Sequence, residues 1–273
     1  MTESILVATD GSEGASAGER CGIALAARLS ARLAGVSVVE DRCVRAPSGD
    51  ALATPAFPEA ELAAYHKARV DAVARRFSER ARSEGLEANC EATSGAADDR
   101  IVERGQSYDL IVLGRDGSAS SERGVLIGGT VENVIRKSSK SCLIVPTGAT
   151  LGGPIVLGFD GSPGSRSAAS LAVELAKGLG EAVHVFVDSK DKGRAVARFE
   201  EVRQLVGGLE IPVRETSSTL GRPDVKLVDT AREAGAGLIV IGAYGRNRIS
   251  DYFIGSNAAS VARTSHVGVV LAR

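Results

Sequence analysis

The chain repeats itself, and that limits its possible folds more than any other feature. Residues 5–12 read ILVATDGS and residues 155–162 read IVLGFDGS, an offset of 150. Residues 110–114 read LIVLG and residues 238–242 read LIVIG, an offset of 128, while Gly128 and Gly255 correspond at 127. The second copy is therefore shorter by 22 residues in its middle and by one more in the stretch after LIVIG. Between the copies runs TGATLGGP, residues 147–154, whose Gly, Thr and Pro content suits a linker. Two domains are expected, 1–147 and 153–273.

Within each copy, apolar β-branched runs alternate with helical patterns. Strands are predicted near 4–9, 35–40, 87–93, 109–114 and 142–146, and again near 154–159, 182–187, 210–216, 237–242 and 267–272. These runs are continuously apolar rather than alternating, which suits parallel strands covered on both faces. The segment after DGS opens with helix-capping residues and is read as a helix stopped at Gly35. Residues 59–84 carry Leu62, Val70, Val73 and Phe77 at helical spacing, with a stop at Gly85. This order requires right-handed crossovers and a doubly wound parallel sheet, whose ligands bind beyond the carboxyl ends of the strands.

Two strand ends in each copy carry candidate chemistry. The first ends in Asp10-Gly11-Ser12 and, in the repeat, Asp160-Gly161-Ser162. Asp and Ser there cap a following helix; the same acid in the same place twice also suits a carboxylate that hydrogen-bonds a ligand. The fourth strand of the second copy opens into GAYGRNRISDYFIGSN, residues 242–257. Gly242 and Gly245 let backbone approach a ligand, and Gly255-Ser256-Asn257 opens a helix whose free N–H groups and dipole favour phosphate. Arg246 and Arg248 add positive charge between them.

These residues resemble the universal stress protein family. Its ATP-binding members carry a glycine, two residues, a glycine, nine residues, then Gly-Ser or Gly-Thr. Gly242, Gly245, Gly255 and Ser256 match that spacing. DGS, LIVLG and LIVIG, CLIVP and VGVVL extend the likeness over both halves. The resemblance implies a tandem pair of five-stranded parallel sheets of order 3-2-1-4-5, each flanked by helices, joined through Cys142–Pro146 and Val267–Leu271. It places Asp160 and Val185, and Asp10 and Val38 in the first domain, around an adenosine. It implies a regulatory stress-response protein binding ATP, ADP or AMP, with Mg accompanying the nucleotide and at most slow ATP hydrolysis.

The first copy departs from the pattern. Gly114-Arg115-Asp116-Gly117 is followed by ten residues before Gly128, and Gly129 replaces the hydroxyl residue. Asp116 adds a like charge near a phosphate position, so the second site ranks above the first, and both can still be filled.

Composition excludes other classes. A formal net charge of -1 and 4% aromatics offer neither the field nor the stacking platforms of a nucleic-acid binder. No apolar run reaches the roughly 18 residues of a membrane span. The opening MTESILVATDGS carries Glu3 and Asp10 where a secretory leader would be basic, then apolar, so a cytoplasmic location is expected. GxxxxGK[ST], GxGxxG and GxSxG are all missing, and His66, His184 and His266 are scattered, so no catalytic or metal residue is assigned. Cys21, Cys90 and Cys142 fall in helix or strand patterns as buried thiols, and Cys43 in a loop-like stretch. A degenerate, nucleotide-free interaction module remains the other reading, and an adenylyl-transferring enzyme lacks a general base. A homodimer is left open.

Overall fold

The computed structural model describes residues 2–40, 59–116, 128–207, 211–244 and 255–273. The first half runs β1 (Ser4–Ala8), α1 (Glu13–Leu29), β2 (Arg32–Glu40), α2 (Glu59–Ser83), β3 (Asn89–Gly95), α3 (Ala97–Gly105), β4 (Leu110–Gly114), α4 (Gly129–Lys137) and β5 (Ser141–Val145). The second repeats the order with β6 (Ile155–Gly158), α5 (Pro163–Leu179), β7 (Val183–Asp188), α6 (Lys192–Val206), β8 (Val213–Ser218), α7 (Pro223–Glu233), β9 (Leu238–Gly242), α8 (Ser256–Thr264) and β10 (Gly268–Ala272).

Each half has the order 3-2-1-4-5, and the two sets join into a single ten-stranded sheet, β3-β2-β1-β4-β5-β10-β9-β6-β7-β8. Every neighbouring pair is parallel except the central one. There β5 lies antiparallel to β10, with Ile144 opposite Val269, Leu143 opposite Val270 and Cys142 opposite Leu271. The edges that two separate sheets would expose are consumed by this pairing.

The continuous apolar runs are explained by cover on both faces. On one face α1, α2, α5 and α6 bury Val7, Leu25, Phe77, Leu143, Leu157, Ala168 and Phe199 in one cluster that crosses from half to half. On the other, α3, α4, α7 and α8 bury Leu6, Ile101, Ile135, Ile144, Val228, Ile239 and Val261. Cys21, Cys90 and Cys142 are buried free thiols, and desolvation pushes each up to about 12. Among the described residues, no helix is long and apolar enough to cross a membrane.

One helix end differs from expectation. α1 stops at Leu29, not Gly35, and its cap is Ser30 at φ 53°, a left-handed conformation that costs a non-glycine residue. The repeat places Gly180 at the same point, at φ 67°. Gly35 instead lies inside β2, where a Cβ would come within 2.7 Å of Cys90 Sγ and 2.8 Å of the Phe77 ring. It is a packing glycine and not a stop signal.

Candidate functional site

The two halves build their carboxyl-end turns alike. Asp10 Oδ1 accepts from the Ser12 N–H at 2.9 Å, and Asp160 Oδ1 accepts from the Ser162 N–H at 2.9 Å. Gly11 and Gly161 take φ 78° and 76°, left-handed values that suit glycine, and Ser12 and Ser162 cap α1 and α5. The two Asp residues therefore shape the turns as well as facing the strand ends. Asp10 is exposed and Asp160 half-buried.

Helix α8 starts beside this turn region, across the end of β9. The Gly255 N–H donates to Ala243 O at 3.1 Å, tying the two ends of the glycine loop together. The Gly128 N–H does the same to Arg115 O at 3.3 Å in the first half. Gly255 and Gly128 sit at φ −56° and −58°, which any residue adopts, so their backbone conformation does not demand glycine. Neither helix has a side-chain cap, and the first turn of α8 presents exposed Ser256 and Asn257 with no acidic residue. The first turn of α4 carries Glu132, which already complements its dipole. Gly129 is exposed, and a Cβ there would meet nothing within 4 Å among the described residues, so only the residue choice removes the hydroxyl.

Gly242 and Gly114 have a packing role that the motif alone did not show. A Cβ on Gly242 would lie 2.6 Å from the Gly164 carbonyl carbon, and one on Gly114 would lie 2.2 Å from Gly14 O. The strand end and the first turn of α5 or α1 thus touch backbone to backbone, and these glycines permit helix packing. Gly14 and Gly164 are the partners that motif reading missed; their offset of 150 within the repeat was the available signal.

Asp116 is also not a bare negative charge at the first site. Its Oδ1 lies 3.0 Å from Arg115 Nε, and Oδ2 accepts from the Thr147 N–H at 3.1 Å and from Thr147 Oγ1 at 3.0 Å. Burial opposes ionisation, but the hydrogen bonds from Arg115 and Thr147 outweigh it and hold the carboxyl below its ordinary value. Arg115 Nη1 continues into the other half, donating to Ser265 O at 2.7 Å and Arg263 O at 3.1 Å, the carbonyl end of α8. Arg273 mirrors this, donating to Ile135 O at the end of α4 while its guanidinium lies 4.3 Å from the Tyr244 ring centroid.

Val38 and Val185 do not occupy equivalent places. Register sets Val36 opposite Ala8 and Phe186 opposite Gly158, so Val185 corresponds to Gly35 and lies in the core, 1% exposed. The residue standing where the first half has Val38 is Asp188. Two cations are likewise missing from the motif reading: a Cβ on Gly161 would lie 3.5 Å from Arg198 Nε, and one on Gly11 3.5 Å from Arg76 Nη2. Arg198 falls on the apolar stripe of Ala195, Phe199 and Val202, where a buried arginine is out of pattern and therefore visible in the sequence. Gly117, Gly245, Arg246, Arg248 and Cys43 lie outside the described residues. Among the described residues no group of three or more His, Cys, Asp or Glu side chains is placed to hold a metal ion.

The model of the universal stress protein family matches residues 1–146 and again 153–273. The chain belongs to this family. Universal stress proteins among its relatives include one from Mycobacterium tuberculosis (strain ATCC 25618 / H37Rv), 27% identical over 194 residues, covering 63% of this chain and 64% of the relative. Another, from Synechocystis sp. (strain ATCC 27184 / PCC 6803 / Kazusa), is 23% identical over 176 residues, covering 61% and 58%. The matches thus span less than two thirds of these relatives' lengths. A universal stress protein from Archaeoglobus fulgidus DSM 4304 superposes over 100% of this chain and 99% of its own, with a TM-score of 0.81 at 19% identity. That likeness establishes a shared two-half fold.

Proposed function

We propose that this universal stress protein binds an adenine nucleotide, ATP, ADP or AMP, and acts as a regulatory stress-response protein, with its second-half site favoured over the first. The observation that carries the reading is the start of α8. Gly255 needs no glycine for its backbone angle, Ser256 and Asn257 are exposed behind it, and no acid competes for the dipole. An exposed helix N-terminus of this composition suits phosphate, which takes hydrogen bonds from N–H groups and a hydroxyl. Asp160 at the neighbouring strand end suits the nucleoside, and Mg would accompany the phosphates. Chemistry on the nucleotide is limited to slow hydrolysis, and the protein's location is taken to be cytoplasmic.

Titration calorimetry of the full chain with ATP, ADP, AMP and GTP tests this. Adenine nucleotides are expected at micromolar affinity or tighter, with GTP measurably weaker. A folded chain that gives no heat with any adenine nucleotide leaves the alternative, an interaction module without ligand.

A further inference from the structure

Helices α4 and α8, whose starts carry the candidate phosphate positions, are held at both ends, and the two ends are held by different halves. At the start the hold is local. The Arg115 N–H donates to Val145 O at 2.8 Å, and its carbonyl accepts the Gly128 N–H at 3.3 Å. In the repeat the Ala243 N–H donates to Ala272 O at 2.9 Å, and its carbonyl accepts the Gly255 N–H at 3.1 Å. Strand end and helix start are thus fixed to each other within each half.

The far end is held across the seam. The last carbonyls of an α-helix have no partner within it. In α8, those of Arg263 and of the capping Ser265 accept from Arg115 Nη1 at 3.1 and 2.7 Å. In α4, that of Ile135 accepts from Arg273 Nη2, whose guanidinium lies 4.3 Å from the ring centroid of Tyr244, the residue after Ala243. A guanidinium at this end satisfies orphan acceptors and complements the negative pole of the helix. The two arginines are not counterparts in the repeat: an offset of 128 sets Arg115 against Ala243, and 127 sets Arg273 against Pro146. Unrelated positions therefore supply the same group at equivalent helix ends, so the tie is not a by-product of the duplication. Arg115 joins both helices in one residue, its backbone fixing where α4 begins and its side chain where α8 ends. With 9 residues, α8 spans about 14 Å, too short to absorb a shift at one end without passing it to the other.

We infer that Arg115 is a positioning residue of the second site and Arg273 of the first. Each holds, from the opposite half, the helix whose free N–H groups meet the phosphates, and neither touches the nucleotide. This rests on the nucleotide reading above and goes beyond it: each site belongs to the pair of halves, not to the half whose motif it carries.

Site-resolved labelling tests the crossing. The full chain is titrated with 8-azido-ATP and irradiated, and labelled peptides from each half are quantified by mass spectrometry, with excess ATP as competitor. Arg115 also pairs with Asp116 at 3.0 Å, so Arg115→Gln is made in an Asp116→Asn chain and compared with that chain, which keeps a freed carboxylate from disturbing the first site. The half-saturation concentration of the second half should rise about fivefold or more, with a smaller change in the first. Arg273→Gln should do the reverse. Arg115→Lys, which keeps a cation at the end of α8, should recover part of the loss. Circular dichroism must show equal folded fractions throughout. Equal losses in both halves, or losses confined to the half that carries the substitution, overturn the assignment while the nucleotide reading stands. If label enters the second half alone, the Arg115 comparison decides by itself. If ATP displaces no label from a folded chain, the nucleotide reading falls and the assignment with it.

Discussion

His184 is the residue whose environment makes the clearest demand on pH. Its Nε2 lies 2.7 Å from Thr216 Oγ1 on β8, and Nδ1 is buried without a partner among the described residues. Burial, then the charge of Arg214, holds the imidazole below the usual 6.5. The neutral ring is thus favoured in the fold, while the unfolded chain binds a proton near 6.5. Stability from this group is present above that value and is lost as pH falls through it, because the unfolded state then holds more protons. His266 is shifted in the same direction by burial and Arg232. Urea midpoints are expected to drop from pH 7.5 to pH 5.5, and His184→Gln should flatten part of that drop. An equal slope in the variant would assign the pH dependence elsewhere. Glu19 shows another residue-scale dependence. Fully buried on α1, it is held by Arg80, by Arg76 at 3.3 Å and by the Thr9 hydroxyl. Removing Arg80 leaves a buried charge short of its partner, and Arg80→Ala should cost about 3 kcal/mol in chemical denaturation.

At the scale of elements, α4 and α8 are the same helix in two versions, and comparing them tests the ranking of the sites. On the proposed reading, Gly255→Val places a branched side chain in the path of the phosphate and should remove most nucleotide binding. Gly128→Val should remove much less. Circular dichroism must show equal folded fractions, and bound nucleotide measured side by side decides; greater damage from Gly128→Val would reverse the ranking. Gly129→Ser returns the hydroxyl to a position that no described residue crowds, and should strengthen the first site severalfold. Elements of this kind were readable from the sequence because buried parallel strands leave unbroken apolar runs such as LIVLG and LIVIG. Their limits were less so: β2 begins at Arg32 and β8 at Val213, each three residues from the predicted start. Gly35 looked like a helix stop because glycine commonly ends helices, yet its cause is the closeness of Phe77 and Cys90, which no local pattern records. The family resemblance gave Val185 and Val38 as counterparts, whereas the offset of 150 that relates the DGS turns sets Asp188 where the first half has Val38. The packing of Gly242 against the backbone of Gly164 was not legible either, because that contact is made only once α5 packs onto the sheet.

At the scale of the whole molecule, the two halves are built so that neither keeps its surroundings without the other. The β5–β10 pairing places Cys142, Leu143 and Ile144 against Leu271, Val270 and Val269, nearly all fully buried, and both apolar clusters run through that seam. Polar ties reinforce it from both sides: Arg115 reaches the carbonyl end of α8, Arg273 reaches Ile135 O, and Arg28 donates to Leu179 O. Opening the seam would expose large apolar faces on both halves and strand these donors, so partial unfolding is costly compared with unfolding everything. The expected outcome is one cooperative transition. The cysteines make this directly measurable, because all four lie in the first half and none in the second. With Cys21, Cys90 and Cys142 buried and pushed up to about 12, their thiols should resist labelling at neutral pH until the first half opens. Far-ultraviolet circular dichroism reports both halves together. Across a urea series, labelling of those three thiols and loss of dichroism should share a midpoint and a slope in the wild type. Leu143→Asp, which puts a carboxylate into the seam, should lower both midpoints together by several tenths molar or more. Were the halves independent units, the thiol curve would separate from the dichroism curve, and Leu143→Asp would shift labelling while leaving half of the dichroism change where it was.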